Sequence, residues 1–280
     1  MGKISYAENR KKHLKTYAKE RELTVDGKWQ GKGSYSHILQ FKENIKNVQN
    51  RKNKQKVVCE KNILPGILTD KFTWKDMHKY AHHLNSSQVL CYNFFRPLIT
   101  EESHPTDELI RLLEKIEIKI LSSAICEFEY CPDKKEKTQF DFHIKDGDIE
   151  VFFEIKYTEQ GFGKAKKDDS HEEKFTTIYK KYLAKQKCLK WVPTFKDENL
   201  KEEFEEFANH YQLYRNAIRV TDEKKHVVLL YPESNTEAEK EARRFIEEKI
   251  KEEYKKNVLC LHWEDIVKEE SELYRKYFAE

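Results

Sequence analysis

Two neighbouring stretches of this chain alternate apolar and polar side chains with a period of two. Phe140, Phe142 and Ile144 interleave with Gln139, Asp141 and His143. Val151, Phe153, Ile155 and Tyr157 interleave with Phe152, Glu154 and Lys156. Such alternation predicts strands with one buried face. The polar link Lys145, Asp146, Gly147, Asp148 predicts that the two strands form a hairpin. Residues 124–130 alternate in the same way, with Ala124, Cys126, Phe128 and Tyr130 opposite Ile125, Glu127 and Glu129, and open the meander.

Helical spacing governs much of the rest. Residues 72–83 read as a helix. Asn85 or Ser86 caps a second one that runs through Val89 to Phe95 and stops at Pro97. Thr106, Asp107 and Glu108 open a third, with Leu109, Leu112, Leu113, Ile116 and Ile120 on one stripe. After the charged stretch 164–173, helical patterning continues to about Leu189 and breaks at Trp191, Val192 and Pro193. A long helix from Glu198 carries Leu200, Phe204, Phe207, Tyr211, Tyr214 and Ile218 at alternating steps of four and three, flanked by the polar row Gln212, Arg215, Asn216 and Arg219. A strand over 226–231, a highly charged helix over 236–256, a strand over 257–263 and a last helix from Asp265 complete the pattern. No internal repeat is present. Helices, three strands, helix, strand, helix and strand make an α/β chain with a mixed central sheet flanked by helices.

The N-terminal part has a different character. Residues 1–61 hold 16 Lys or Arg against 6 Asp or Glu, whereas the remainder holds 37 against 44. Short apolar islands such as 35–41 sit between basic runs such as Arg51, Lys52, Asn53 and Lys54. Gly27, Gly31 and Gly33 punctuate a loop around Trp29. Pro65-Gly66 is a turn signal. The expected organisation is a basic, partly helical N-terminal extension or subdomain over 1–64 and a main domain over 65–280. A basic segment of this kind is the footprint of a chain that meets phosphate backbones or, equally, a solvated arm with no specific ligand; charge alone does not separate the two.

Composition narrows the setting. No apolar run is long enough to span a bilayer, and the N-terminus lacks the apolar core of a signal peptide, so a soluble, cytoplasmic protein is expected. The six cysteines, Cys59, Cys91, Cys126, Cys131, Cys188 and Cys260, include no CxxC pair, and even the nearest two, Cys126 and Cys131, have no His or Cys cluster to complete a zinc site. Buried thiols in a reducing compartment are the expectation.

The chemistry gathers on the hairpin. Side chains two apart on a strand point the same way, so Glu154 and Lys156 share a face and a paired strand can bring Asp141 beside them. With 37% of residues charged, Glu-x-Lys alone says little. Here the acid interrupts the apolar run 151–155 and the lysine follows it directly, in a place where charges persist only when paired or bound to metal. Two carboxylates and an ammonium at one spot can hold a hard cation and a phosphate.

An Asp on one strand followed by Glu-x-Lys on the next, behind a helix, resembles the PD-(D/E)XK nuclease superfamily. The strings HHLNSSQVLCYNFFRPL (82–98), FDFHI, FEIKYTEQGFGKA and HYQLYRNAI (210–218) resemble a bacterial family of restriction endonucleases within it, over about half of the chain. One departure is Phe140, which stands where the motif has Pro. The resemblance implies an αβββαβ restriction-endonuclease-like core and Mg²⁺-dependent DNA cleavage, with Mn²⁺ as a substitute ion. In that reading Asp141, Glu154 and the Ile155 carbonyl are metal ligands, and Lys156 orients the attacking water. Glu127 or Glu129 would complete the metal site, ahead of Glu114 or Glu117 on the preceding helix. Gln212 and Arg215 would reach the phosphate or a base edge. Gly161, Phe162, Gly163 and Lys164, with Lys166 and Lys167, form a loop that can hold DNA but lacks the spacing of a P-loop. His82 and His83 are adjacent and so poorly placed to share one ion; capping, packing or a DNA contact suits them better. DNA is the expected partner. A homodimer is one way to cut both strands. The alternatives are a repair or recombination nuclease of the same fold and a non-catalytic nucleic-acid-binding protein.

Overall fold

The computed structural model describes residues 5–29, 32–40, 60–67, 78 and 80–279. The basic run 51–54, Gly31, Cys59 and most of the predicted helix 72–83 lie outside the described residues, as does one end of the apolar island 35–41. The helices are α1 (Tyr6–Glu20), α2 (Ser87–Phe95), α3 (Asp107–Glu114), α4 (Asp169–Lys174), α5 (Lys180–Leu183), α6 (Leu200–Asn209), α7 (Tyr211–Ala217), α8 (Thr236–Lys249), α9 (Trp263–Ile266) and α10 (Glu272–Tyr277). A π-helical turn, Phe175–Tyr179, joins α4 to α5. The strands are β1 (Gly27–Trp29), β2 (Lys32–Tyr35), β3 (Ile125–Tyr130), β4 (Phe140–Asp146), β5 (Ile149–Ile155), β6 (Lys225–Tyr231) and β7 (Val258–His262).

The chain divides into two compact units, one from Met1–Glu102 with Trp263–Glu280, the other Ser103–His262. The first holds α1, the β1–β2 hairpin, α2 and the C-terminal helices. Ser5 and Glu8 form a capping box at the start of α1. Arg10 donates to the Phe278 carbonyl at 3.0 Å, and the buried Lys276 ammonium donates to Asn62 Oδ1 at 2.7 Å. The two ends of the chain are thereby joined. The end of the predicted helix 72–83 that is described, 80–83, is a turn and an isolated bridge. Its backbone pairs with 37–39 instead: Leu39 N–H donates to the His82 carbonyl and Leu84 N–H to the His37 carbonyl. Asn62 Nδ2 donates to the Ala81 and His83 carbonyls.

The second unit is built on a five-stranded sheet of order β3-β4-β5-β6-β7. β3, β4 and β5 are antiparallel, and β5, β6 and β7 are parallel. Gly147 takes φ +56° at the first position of the two-residue β4–β5 turn, the sign that primed hairpin turns require. Val227 to Tyr231 are all buried, as suits a strand with a parallel neighbour on each side and covered on both faces. On one face Phe140, Phe152, Val227, Leu229 and Tyr231 pack with Phe175, Tyr179, Phe204, Phe207, Tyr214, Ala238 and Phe245 from the helices. The opposite face presents Phe142, Ile144, Val151, Phe153, Ile155, Val228 and Leu230, also buried. Phe140, which the alternation sets with Phe142, packs instead against Phe152, with centroids 4.9 Å apart, where the β4–β5 ladder has ended. Cys91, Cys126 and Cys188 are buried as expected, and burial pushes the Cys126 and Cys188 thiols up to about 12. No helix among the described residues is long and apolar enough to cross a membrane.

Several helices are shorter than the sequence predicts: the stretch expected to run to Leu189 ends at Leu183, and the last helix is two short pieces, Trp263–Ile266 and Glu272–Tyr277. The helix expected to reach Ile120 ends at Glu114, where Glu117 takes φ +63° and Ile118 N–H returns to the Leu113 carbonyl. The charged helix stops at Lys249 because Ile250 turns extended and pairs with Leu189, while Lys251 N–H donates to the Cys188 carbonyl. The long helix expected from Glu198 is two helices, α6 and α7, broken at His210. At the break the backbone turns outward to the 163–165 segment: Gln212 N–H donates to the Gly163 carbonyl at 3.0 Å, and Ala165 N–H donates to the Ala208 carbonyl at 3.0 Å.

Glu206 straps this break to α8. It accepts from Tyr214 Oη at 2.8 Å, pairs with Lys249 Nζ at 2.7 Å and lies 3.5 Å from His210 Nδ1. The His210 hydrogen bond, aided by Lys249 and Tyr214 and opposed by partial burial, holds the Glu206 carboxyl down at about 2, against an ordinary 4.5. A lowered carboxyl adds stability that is fully present above its ordinary value and is lost as the pH falls through its folded value. Glu206→Gln should therefore lose about 1–2 kcal/mol at pH 7, after allowance for solvent screening. The deficit should shrink steadily from pH 5 to pH 3 in urea unfolding, and a deficit unchanged across that range would contradict this role.

Candidate active site

The β4–β5 ladder ends at the pair Phe142 and Phe153, one residue short of Asp141 and Glu154. Beyond it Asp141 reaches β5 through its side chain, which accepts the Ile155 N–H, and its electrostatic interaction with Glu154 places the two carboxylates near one another. β6 then runs parallel to β5 with Glu154 beside Leu229, and Lys156 N–H donates to the Leu230 carbonyl at 2.9 Å, which holds the end of β5 in place.

Glu154 is buried and fully engaged. Its Oε1 accepts from Lys156 Nζ at 2.9 Å and from Gln212 Nε2 at 2.6 Å. Its Oε2 accepts from Asn216 Nδ2 at 3.5 Å. Lys156 is 8% exposed, so the pair is poorly solvated and depends on its mutual contact. Asp141, half-buried, accepts the Ile155 N–H on Oδ2 at 2.8 Å. Loss of solvent, then the charges of Glu154 and Glu129, push the Asp141 carboxyl well above its ordinary range, against the pull of Lys156 and the Ile155 hydrogen bond. Burial favours neutral Lys156, but Glu154, Glu159 and Asp141 outweigh it and hold the ammonium above its ordinary value. Lys156 is therefore a cation in this state, suited to steadying an anion rather than to removing a proton.

Glu129 enters from β3. It would sit opposite Asp141 in the β3–β4 register, but the ladder passes from Phe128↔Phe142 to Tyr130↔Phe140 around it, and Glu129 takes φ +52°. A positive φ at a non-glycine strand residue is strained backbone of a kind that gathers at functional sites. It also rotates Tyr130, whose ring stacks on His143 at 3.8 Å. Of the two β3 acids, Glu129 is the one whose charge acts on Asp141; Glu127 faces His143.

The other sequence candidates divide. Gln212 lies in the site. Arg215, one turn on, turns to a neighbouring cluster, donating to Thr138 Oγ1 at 2.8 Å and to Glu136 Oε1 at 3.4 Å, with its guanidinium 4.8 Å from the Tyr211 ring centroid. Glu136 also pairs with Arg219. Lys164 is exposed and lines a cavity of about 930 Å³ with Lys156, Glu159, Gly161, His210, Gln212, Lys240, Glu241 and Arg244. Asn216 and Glu159 were not legible as site residues. Asn216 stood in the polar row with nothing to separate it from its neighbours. Glu159 lies beyond the strand, where period two no longer applies.

Two neighbouring carboxylates, one raised above its ordinary pKa first by burial and then by the other's charge, make a site in which a second negative charge is unfavourable. Among the described residues no group of three or more His, Cys, Asp or Glu is arranged to hold a metal ion; an ion held here would be a hard cation that takes one or two carboxylates and completes its shell with water. The donors fit Mg²⁺ and do not fit zinc.

The opposed charges give paired stability predictions in EDTA at pH 7. Asp141→Asn removes a repulsion and should raise the urea midpoint. Lys156→Ala leaves Glu154 without its buried counter-charge and should cost roughly 3 kcal/mol. Shifts of the same sign in the two variants would refute this balance.

Comparison with known proteins gives one match. The family model described as restriction endonuclease associating with ARP matches residues 11–279, and the chain belongs to that family. No curated protein and no solved structure matches it.

Proposed function

We propose that this member of the family of restriction endonucleases associating with ARP is a metal-dependent DNA endonuclease. Its site is Asp141, Glu154 and Lys156. The observation that carries the reading is the raised Asp141 carboxyl beside a Glu154 held by Lys156, Gln212 and Asn216. Such surplus charge is unfavourable in the bare protein and is relieved by a divalent cation. Asp141 and Glu154 would hold Mg²⁺, with the Ile155 carbonyl as a further ligand and Glu129 as the acid nearest to complete the set. Bound there, the ion would neutralise phosphate charge and acidify a water, the two needs of phosphodiester hydrolysis.

The chain's own groups supply the rest. Lys156, kept protonated by its carboxylate neighbours, would steady the phosphate and orient the attacking water. Gln212 and Asn216 would keep Glu154 aimed while its charge is shared with the ion. The cavity beside Lys156, with Lys164, Lys240 and Arg244 on its walls, offers cations to the phosphates that flank the cut. The basic N-terminal segment would add affinity of the same sequence-independent kind.

Supercoiled plasmid DNA with Mg²⁺, Mn²⁺ or EDTA tests this directly. Asp141→Asn is the most informative variant, because a protein that gains stability cannot lose activity by unfolding. It should cut at least about 100-fold more slowly while shifting DNA in a gel as the wild type does. Wild-type cleavage by Asp141→Asn, or full activity in EDTA, would overturn the reading.

A further inference from the structure

The loop between β5 and α4 makes a second set of contacts that the hydrolytic reading does not use. Gly161 takes φ +84°, and a Cβ at that position would overlap Oε2 of Glu241. That oxygen accepts the Phe162 N–H at 2.7 Å. Phe162 is buried, edge-on to Tyr231 with centroids 6.4 Å apart, and its ring centroid lies 5.6 Å from Lys156 Nζ. The next amide, Gly163 N–H, donates to Gln212 Oε1 at 2.9 Å. Two successive backbone amides are thus taken by side chains from two helices, Glu241 on α8 and Gln212 on α7.

The second bond has a chemical consequence. A Gln side chain carries its acceptor and its donors on opposite arms. With Oε1 committed to Gly163 N–H, Nε2 must face Glu154, where it donates to Oε1 at 2.6 Å. The loop therefore decides which arm of Gln212 Glu154 meets. The reversed amide would set two oxygens against each other. A loop free to leave α8 would release that choice.

We propose that Glu241 is a positioning residue for Glu154, acting through the Gly161–Gly163 backbone and the Gln212 amide; the proposal rests on Glu154 being a metal ligand. Glu241 touches neither the carboxylates nor the place of the ion. It holds Phe162 over Lys156 and keeps Gly163 where Gln212 can be oriented. Gly161 is required at its place because only a residue without Cβ brings the backbone this close to the carboxylate.

The test compares Glu241→Ala with Glu241→Gln, which keeps an oxygen acceptor for Phe162 N–H. Mg²⁺ binding is measured by calorimetry and amide exchange by NMR. Glu241→Ala should bind Mg²⁺ about tenfold more weakly, as is usual for losses behind a metal ligand, and the Phe162 and Gly163 amides should exchange faster. Glu241→Gln should restore both. Unchanged Mg²⁺ affinity in Glu241→Ala, or a loss that Glu241→Gln does not rescue, would overturn the proposal. If the wild type itself binds no Mg²⁺, the metal reading fails separately. The Gln212 side-chain amide resonances then decide: they should move in Glu241→Ala and not in Glu241→Gln, and resonances unmoved in both would end the proposal.

Discussion

Two carboxylates that repel one another are held near each other, in poor solvent, by side-chain hydrogen bonds at the end of the β4–β5 hairpin. Neither Asp141 nor Glu154 can withdraw: Asp141 is tied to the Ile155 amide, and Glu154 is gripped by Lys156, Gln212 and Asn216. One ammonium offsets part of the charge, and the Asp141 carboxyl carries the remainder as a raised pKa. A fold selected only for stability would replace one of the acids. Their presence side by side is the kind of local cost that accompanies a site built for a charged ligand.

The rest of the second unit can be read as the means of holding that arrangement. The change from antiparallel to parallel pairing at β5 makes the strand interior on both sides, and its parallel neighbour β6 requires a long crossover. That crossover carries α4 to α7 across the face on which Glu154 lies, so Gln212 and Asn216 arrive from a helix packed through Leu213, Tyr214 and Ala217. The break at His210 turns α7 toward the glycine loop, and Glu206 ties the break to α8. Positioning by packed helices suits a task in which small displacements of a ligand are costly.

Much of this was legible in the residues. Period-two alternation located β3, β4 and β5, and side-chain parity set Glu154 and Lys156 alike, with Asp141 left to the pairing of the neighbouring strand. The order of strands and helices gave the mixed sheet, and the matched family agrees with the resemblance found in the motif strings. What escaped was set by tertiary hydrogen bonds. The stripe from Leu200 to Ile218 keeps helical spacing across His210, so nothing local marks the break; only the pairing of Gly163 and Ala165 with its backbone does. Arg215 and Gln212 stood alike in one polar row, yet Glu136 and Thr138 draw Arg215 elsewhere. Glu129 and Glu127 were equivalent by parity until the positive φ at Glu129 separated them. The role of Glu241 depends on a backbone amide 79 positions away in sequence, which no window along the chain can relate to it.

The central claim is that Asp141 and Glu154 jointly hold one divalent cation. Calorimetric titration of Mn²⁺ into the metal-free protein and into Glu154→Gln measures this most directly. The account predicts one ion per chain for the wild type, with most of that affinity lost in the variant although the side chain keeps its size. Equal affinity in both proteins would contradict it.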